Sequence, residues 1–203
     1  MSAFLGPIHY WLYNKVQVED QMTKAIVEKA MEKGLLTAAT LDTADQKYGT
    51  ILNQSLEEMI DTDNIHGWLQ DRVSVAEGRL AFFVTEIIEK NSDAKEEILE
   101  TAKCFGHDLK RPEFHSVKEV YQFIMDTLLD GMPCDHVNSI ELEEADRLVY
   151  KRNHCVHEAY WQAVNGDVTK YYEIRQAMLE GMLEGSGFAI RQNGNQSEIV
   201  KLG

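Results

Sequence analysis

The chain is short of the residues that commit a sequence to a specialised class. Its 203 residues include only three prolines and three cysteines. So few prolines, with no low-complexity tract, exclude a long disordered or polyproline segment. An odd number of irregularly spaced cysteines excludes a disulfide framework, so the thiols are expected to be reduced. No apolar run reaches the ~18–20 residues that span a bilayer, and no membrane partner is expected. The opening MSAFLGPIHYWLYNKV has neither a basic n-region nor a small-residue cleavage site. With reduced thiols, this predicts a cytoplasmic protein. Positive charge is also scarce: 20 Lys and Arg stand against 34 Asp and Glu, a formal net charge of −14. A surface of that sign repels phosphate backbones, so no nucleic-acid partner is expected. GxGxxG, GxxxxGKS/T, GxSxG and HExxH are all missing, which leaves nucleotide, serine-hydrolase and zincin chemistry without an anchor.

What is present is helical periodicity. Gly6-Pro7 marks a helix start that runs through Trp11, Leu12, Met22 and Ile26 to a stop at Gly34. Asp42 or Thr43 would cap a second helix carrying Ala44, Tyr48, Leu52, Leu56 and Met59. Asp63 or Asn64 would cap a third, whose stripe Leu69, Val73, Ala76, Leu80, Phe83 and Ile87 alternates at spacings of four and three. A fourth begins near Ser92 or Asp93, and a fifth at Ser116 ends near Gly131.

Beyond GMPCDH the period changes. In NSIELEEADRLVYKR, apolar and polar residues alternate around Ala145-Asp146, which predicts two strands and a turn over a rival helical reading of ELEEADRL. A short helix follows in VHEAYWQAV. Asp167 would cap another, with Tyr171, Arg175, Met178 and Met182 on its stripe. The tail GFAIRQNGNQSEIVKLG reads as a hairpin turning at Asn-Gly-Asn. The expected fold is α+β: one domain over 1–203, with about five helices in 1–131 packed against a small C-terminal antiparallel sheet in 132–203.

Chemistry-bearing residues are sparse and concentrate late. NHCVHEAYW at 153–161 sets Cys155 between His154 and His157, and PCDH places Cys134 beside His136. A two-residue turn at Ala145-Asp146 would oppose Cys134 to His157 and His136 to Cys155. Opposed Cβ atoms lie ~4.5–5.5 Å apart, which would suit a tetrahedral zinc or iron site made of Cys134, His136, Cys155 and His157. Without a metal, Asn153 would cap the following helix and put Cys155 in its first turn. The helix dipole would stabilise a thiolate there, with His157 as base and Glu158 orienting it. The plain alternative is that the cysteines are small buried hydrophobes and the histidines satisfy backbone groups. His66 falls on the stripe of the third helix and is expected to face the interior. With His9 and Trp11 on the first helix, it would line a pocket for a planar cofactor or small molecule.

The order of DRLVYKRNHCVHEAYWQAVNG and GMLEGSGFAIR, a strand, a cysteine, an aromatic helix and then a hairpin, resembles the L-2-amino-thiazoline-4-carboxylic acid hydrolase-like family over residues 140–203. The resemblance implies an α+β fold and marks Cys155 for ligand binding or catalysis. No second cysteine follows Cys155, so a family-type cysteine pair is absent. Three functions therefore stand as expectations. They are a metal- or small-ligand-binding protein centred on Cys155 and His157, a thiol-dependent hydrolase of small amides or cyclic amidines, and a non-catalytic homo-oligomer.

Overall fold

A computed structural model describes residues 4–51, 54–109 and 113–203. Among them are eight α-helices, one 3-10 turn and four strands. The helices are α1 (Pro7–Glu32), α2 (Ala38–Tyr48), α3 (Leu56–Met59), α4 (Ile65–Lys90), α5 (Ala94–Leu109), α6 (Val117–Thr127), α7 (Glu158–Gln162) and α8 (Thr169–Leu183). The strands are β1 (Asn138–Glu143), β2 (Arg147–Arg152), β3 (Phe188–Asn193) and β4 (Gln196–Lys201), in the antiparallel order β1-β2-β4-β3. The expected α+β class holds. No helix among the described residues is long and apolar enough to cross a membrane.

Local chemistry explains the helix boundaries. Pro7 opens α1, and the Gly6 amide donates to His9 Nδ1 at 2.9 Å. The Asn64 and Ser116 side chains accept from the Gly67 and Glu119 amides at the starts of α4 and α6. The Asp167 carboxylate takes the Thr169 amide and hydroxyl at the start of α8. One helical expectation fails. The segment from Ala44 to Met59 is two helices, because Gly49 adopts φ 83° and closes α2 one residue after Tyr48. The first of the two starts at Ala38, before the expected cap at Asp42 or Thr43. Leu52 lies outside the described residues.

The expected stripe of α4, from Leu69 to Ile87, is buried throughout. Apolar side chains form two clusters. The smaller gathers Leu12, Val16, Leu69, Val73, Ala76 and Leu129, whereas the larger joins the later turns of α1 and α4 and most other helices to the sheet. Helices α5 and α8 meet backbone to backbone. A Cβ added to Gly106 would stand 2.0 Å from the Met178 carbonyl oxygen, and one on Gly181 the same distance from that of Lys103. The sheet lays Leu148, Tyr150, Phe188, Ile190 and Ile199 towards α6 and α8.

The β1–β2 hairpin turns at Ala145-Asp146, and Leu142 opposes Val149 as expected. One extra residue, Glu141, then shifts the register, so that Ile140 opposes Tyr150. Such a bulge carries the rest of the strand off the predicted pairing. The ladder ends at Asn138 and Arg152, short of both cysteines. Ile140 is 43% exposed on the outer face, while Leu148 and Tyr150 on the other face are buried.

Candidate functional site

The residues expected to form a Cys/His centre do not come together. Cys134 is exposed in the 3-10 turn Pro133–Asp135, and His136 is exposed in a left-handed conformation at φ 48°. Helix α7 begins at Glu158 with His157 at its cap, so Cys155 precedes the helix and is not in its first turn. Asn153 caps nothing. Its amide donates to the His136 carbonyl, and its oxygen accepts from Ser139. Cys155 is half-buried and accepts from the Tyr172 hydroxyl at 3.0 Å. Glu158 is exposed and holds Gln162, not His157. Among the described residues, no three His, Cys, Asp or Glu side chains are arranged to hold a metal ion. His9 and His66 do meet, with ring centroids 5.8 Å apart. His66 is exposed, against expectation, and His9 is occupied as the cap of α1. Trp11 stands apart from both and donates its indole N–H to Asp126.

His157 instead enters a buried ionic network. Its side chain is fully buried, Nδ1 lies 2.7 Å from Glu77 Oε1, and its ring stacks on Tyr171 at 3.7 Å between centroids. Nε2 lies 3.6 Å from Asp130 Oδ1, an ion-pair contact too long for a hydrogen bond. Arg175 grips Asp130 with both nitrogens, at 2.5 and 3.1 Å, and Asn138 donates to the same carboxylate at 2.8 Å. The Tyr171 hydroxyl donates to the Leu129 carbonyl, which secures the chain next to Asp130. Gly131 then turns the backbone at φ 66°, and a Cβ there would stand 2.5 Å from Asp135 Oδ2.

The environment sets the charges. Burial alone would strip the proton from His157, but Glu77 and Asp130 outweigh it and raise the imidazole to about 10. Burial raises the Asp130 carboxyl as well. Arg175 and His157 overcome that and hold it well below the usual carboxylate range. Glu19, buried on α1, is pushed well above its ordinary value by burial and then by the neighbouring Glu77. The interior thus combines an imidazolium, a guanidinium, paired carboxylates and one acid whose ionisation burial opposes.

Beside this network is a cleft of about 240 Å³, with Trp11, Lys15, Tyr121, Met125, Asp130 and Asn138 in its walls. His136 stands at its edge. Lys15 is only 4% exposed. Its Nζ lies 3.8 Å from the centroid of the Trp11 ring and, among the described residues, makes no hydrogen bond or ion pair. Burial, with a smaller push from the Arg175 cation, lowers its amine to about 8 against the opposing effects of Asp130 and Asp126. A larger hollow of about 590 Å³ lies between α5 and α8, away from the network. Among its lining side chains, Glu173 is held by Lys95 and Lys170, and Glu180 by Gln176.

Sequence reasoning missed Lys15, Glu19, Glu77 and Asp130. Three of these carried a readable signal: Lys15 lies three residues after Leu12 and Glu19 three before Met22 on the buried face of α1, and Glu77 lies between Val73 and Leu80 on α4. A charge on an apolar stripe must be paired or neutralised. Asp130 is in a loop and carried no signal. Comparison with protein-family models, with curated proteins and with solved structures finds no match.

Proposed function

We propose that this protein binds a small organic molecule in the cleft between the start of α1, the end of α6 and residues 130–138. The observation that carries the reading is Lys15, a buried ammonium with no ion pair that lines a cavity. Elsewhere on the chain, Lys24, Lys33, Lys95 and Lys118 each hold a carboxylate. Leaving a buried charge unpaired costs free energy, and binding sites are where such groups are kept free for a ligand. The walls divide the ligand in two. Trp11, Tyr121 and Met125 offer an apolar, partly planar surface, and Lys15, Asp130 and Asn138 orient a polar end. The volume falls below the ~300–1,000 Å³ of drug-sized sites, which suits a one-ring metabolite.

Ligand-observed NMR with benzyl alcohol at millimolar concentration tests this. Saturation transfer is expected from the wild-type protein and is expected to vanish in Met125→Trp, which puts an indole into the cleft. No transfer from the wild type, or undiminished transfer with Met125→Trp, would overturn the reading.

A further inference from the structure

The amine of Lys15 has surroundings suited to a covalent step. We propose that Lys15 captures a small aldehyde or ketone as an imine, a reading that rests on the cleft being the binding site. Three features of the geometry support it. The amine has no carboxylate to hold, so nothing need be displaced before it reacts. It lies beside an open volume of about 240 Å³, where a carbonyl carbon can approach. The third feature is that the surroundings match the product better than an anion. A protonated imine is a delocalised cation. It would lie over the Trp11 face, where a cation is attracted to the ring quadrupole. Asp130 and Asp126 are the carboxylates acting on this amine, with Arg175 the opposing cation. A carboxylate ligand would meet the same two acids as repulsion.

Burial assists the step. With its amine lowered to about 8, Lys15 presents a lone pair in roughly a quarter of molecules at pH ~7.5, against about one in a thousand for a free lysine. The step balances without an oxidant or reductant. The nitrogen lone pair forms the C–N bond, the carbonyl oxygen takes the two amine hydrogens and leaves as water, and the imine nitrogen gains a proton from solvent.

The test uses the full chain, benzaldehyde and sodium cyanoborohydride at pH 7.5, read by intact mass and peptide mapping. The first benzyl adduct is expected on Lys15, roughly tenfold or more ahead of any other lysine, with a rate that inflects near pH 8. Excess benzoate, which cannot form an imine, is not expected to be trapped. Lys15→Met is expected to lose the fast adduct, and Met125→Trp, which keeps the amine and fills the cleft, is expected to slow it. Adducts spread evenly over exposed lysines, with Lys15 no faster, would overturn the proposal. If benzyl alcohol still binds in that case, the cleft remains a binding site and only the imine is lost. If it does not, both readings fall together.

Discussion

A buried histidine keeps its proton only if anions surround it, and His157 has Glu77 on one nitrogen and Asp130 near the other. Removing one member of such a group leaves the rest buried and uncompensated, which typically costs about 3–5 kcal/mol. His157→Ala is therefore expected to lower the unfolding free energy by about that amount, measured by urea denaturation near neutral pH. The pH dependence has a definite sign. Folded His157 holds its proton to about 10, whereas in the unfolded chain it releases it near ~6.5. The network's contribution is thus complete below ~6.5 and is lost as pH rises through the folded value. The stability difference between wild type and His157→Gln is expected to narrow steadily over that interval, and a difference that stays constant would contradict the assignment. Thiol reactivity is the second residue-scale prediction. Cys134 is exposed, whereas Cys155 is half-buried under the Tyr172 hydroxyl. With a disulfide exchange reagent, Cys134 is expected to react roughly tenfold faster than Cys155. The opposite order would revive Cys155 as an activated nucleophile.

At the scale of elements, the contact between α5 and α8 depends on two glycines. Each replaces a side chain with space that the other helix's backbone fills. Gly181→Ala is expected to destabilise by about 3 kcal/mol through overpacking, read as a lower urea midpoint with an unchanged slope. Gly185→Ala is the control. Its Cβ would meet nothing within 4 Å, and only the positive φ of 73° opposes it, so it is expected to cost about 1–2 kcal/mol. Elements were also where the sequence was most legible. The stripe of α4 and the caps at Asn64, Ser116 and Asp167 could be read because each depends on residues within one turn of one another. The break at Gly49 and the bulge at Glu141 could not. A glycine after a tyrosine is common in continuous chain, and an extra strand residue is recognised only against its partner strand. The bulge mattered most, since the expected meeting of Cys134 and His136 with Cys155 and His157 rested on an unbroken register.

Across the whole molecule, the ionic network lies where the two apolar clusters meet. On α1 the change of cluster falls between Val16 and Met22, with Glu19 inside it; on α4 it falls between Ala76 and Leu80, with Glu77 inside it. These ionisable residues thus interrupt a core that would otherwise be continuous. Outside, the net charge of −14 is one of mutual repulsion. Raising sodium chloride from 0.01 to 0.1 M shortens the Debye length from ~30 to ~10 Å. The thermal midpoint is expected to rise over that range, whereas buried Arg175–Asp130 and His157–Glu77 are screened far less. A falling midpoint would show that surface ion pairs outweigh the repulsion.

The sequence by itself determined the class of the fold, most helix positions and both hairpins, because periodicity, capping and turn chemistry act over a few neighbouring residues. It also placed Arg175 on the stripe of its helix and His157 among the candidate site residues. Only the tertiary structure decided what they do. Glu77 and His157 are 80 residues apart in the chain, and Asp130 and Arg175 are 45 apart. The charges of this network survive in the interior through partners brought by other elements, and no local pattern specifies which element will bring them.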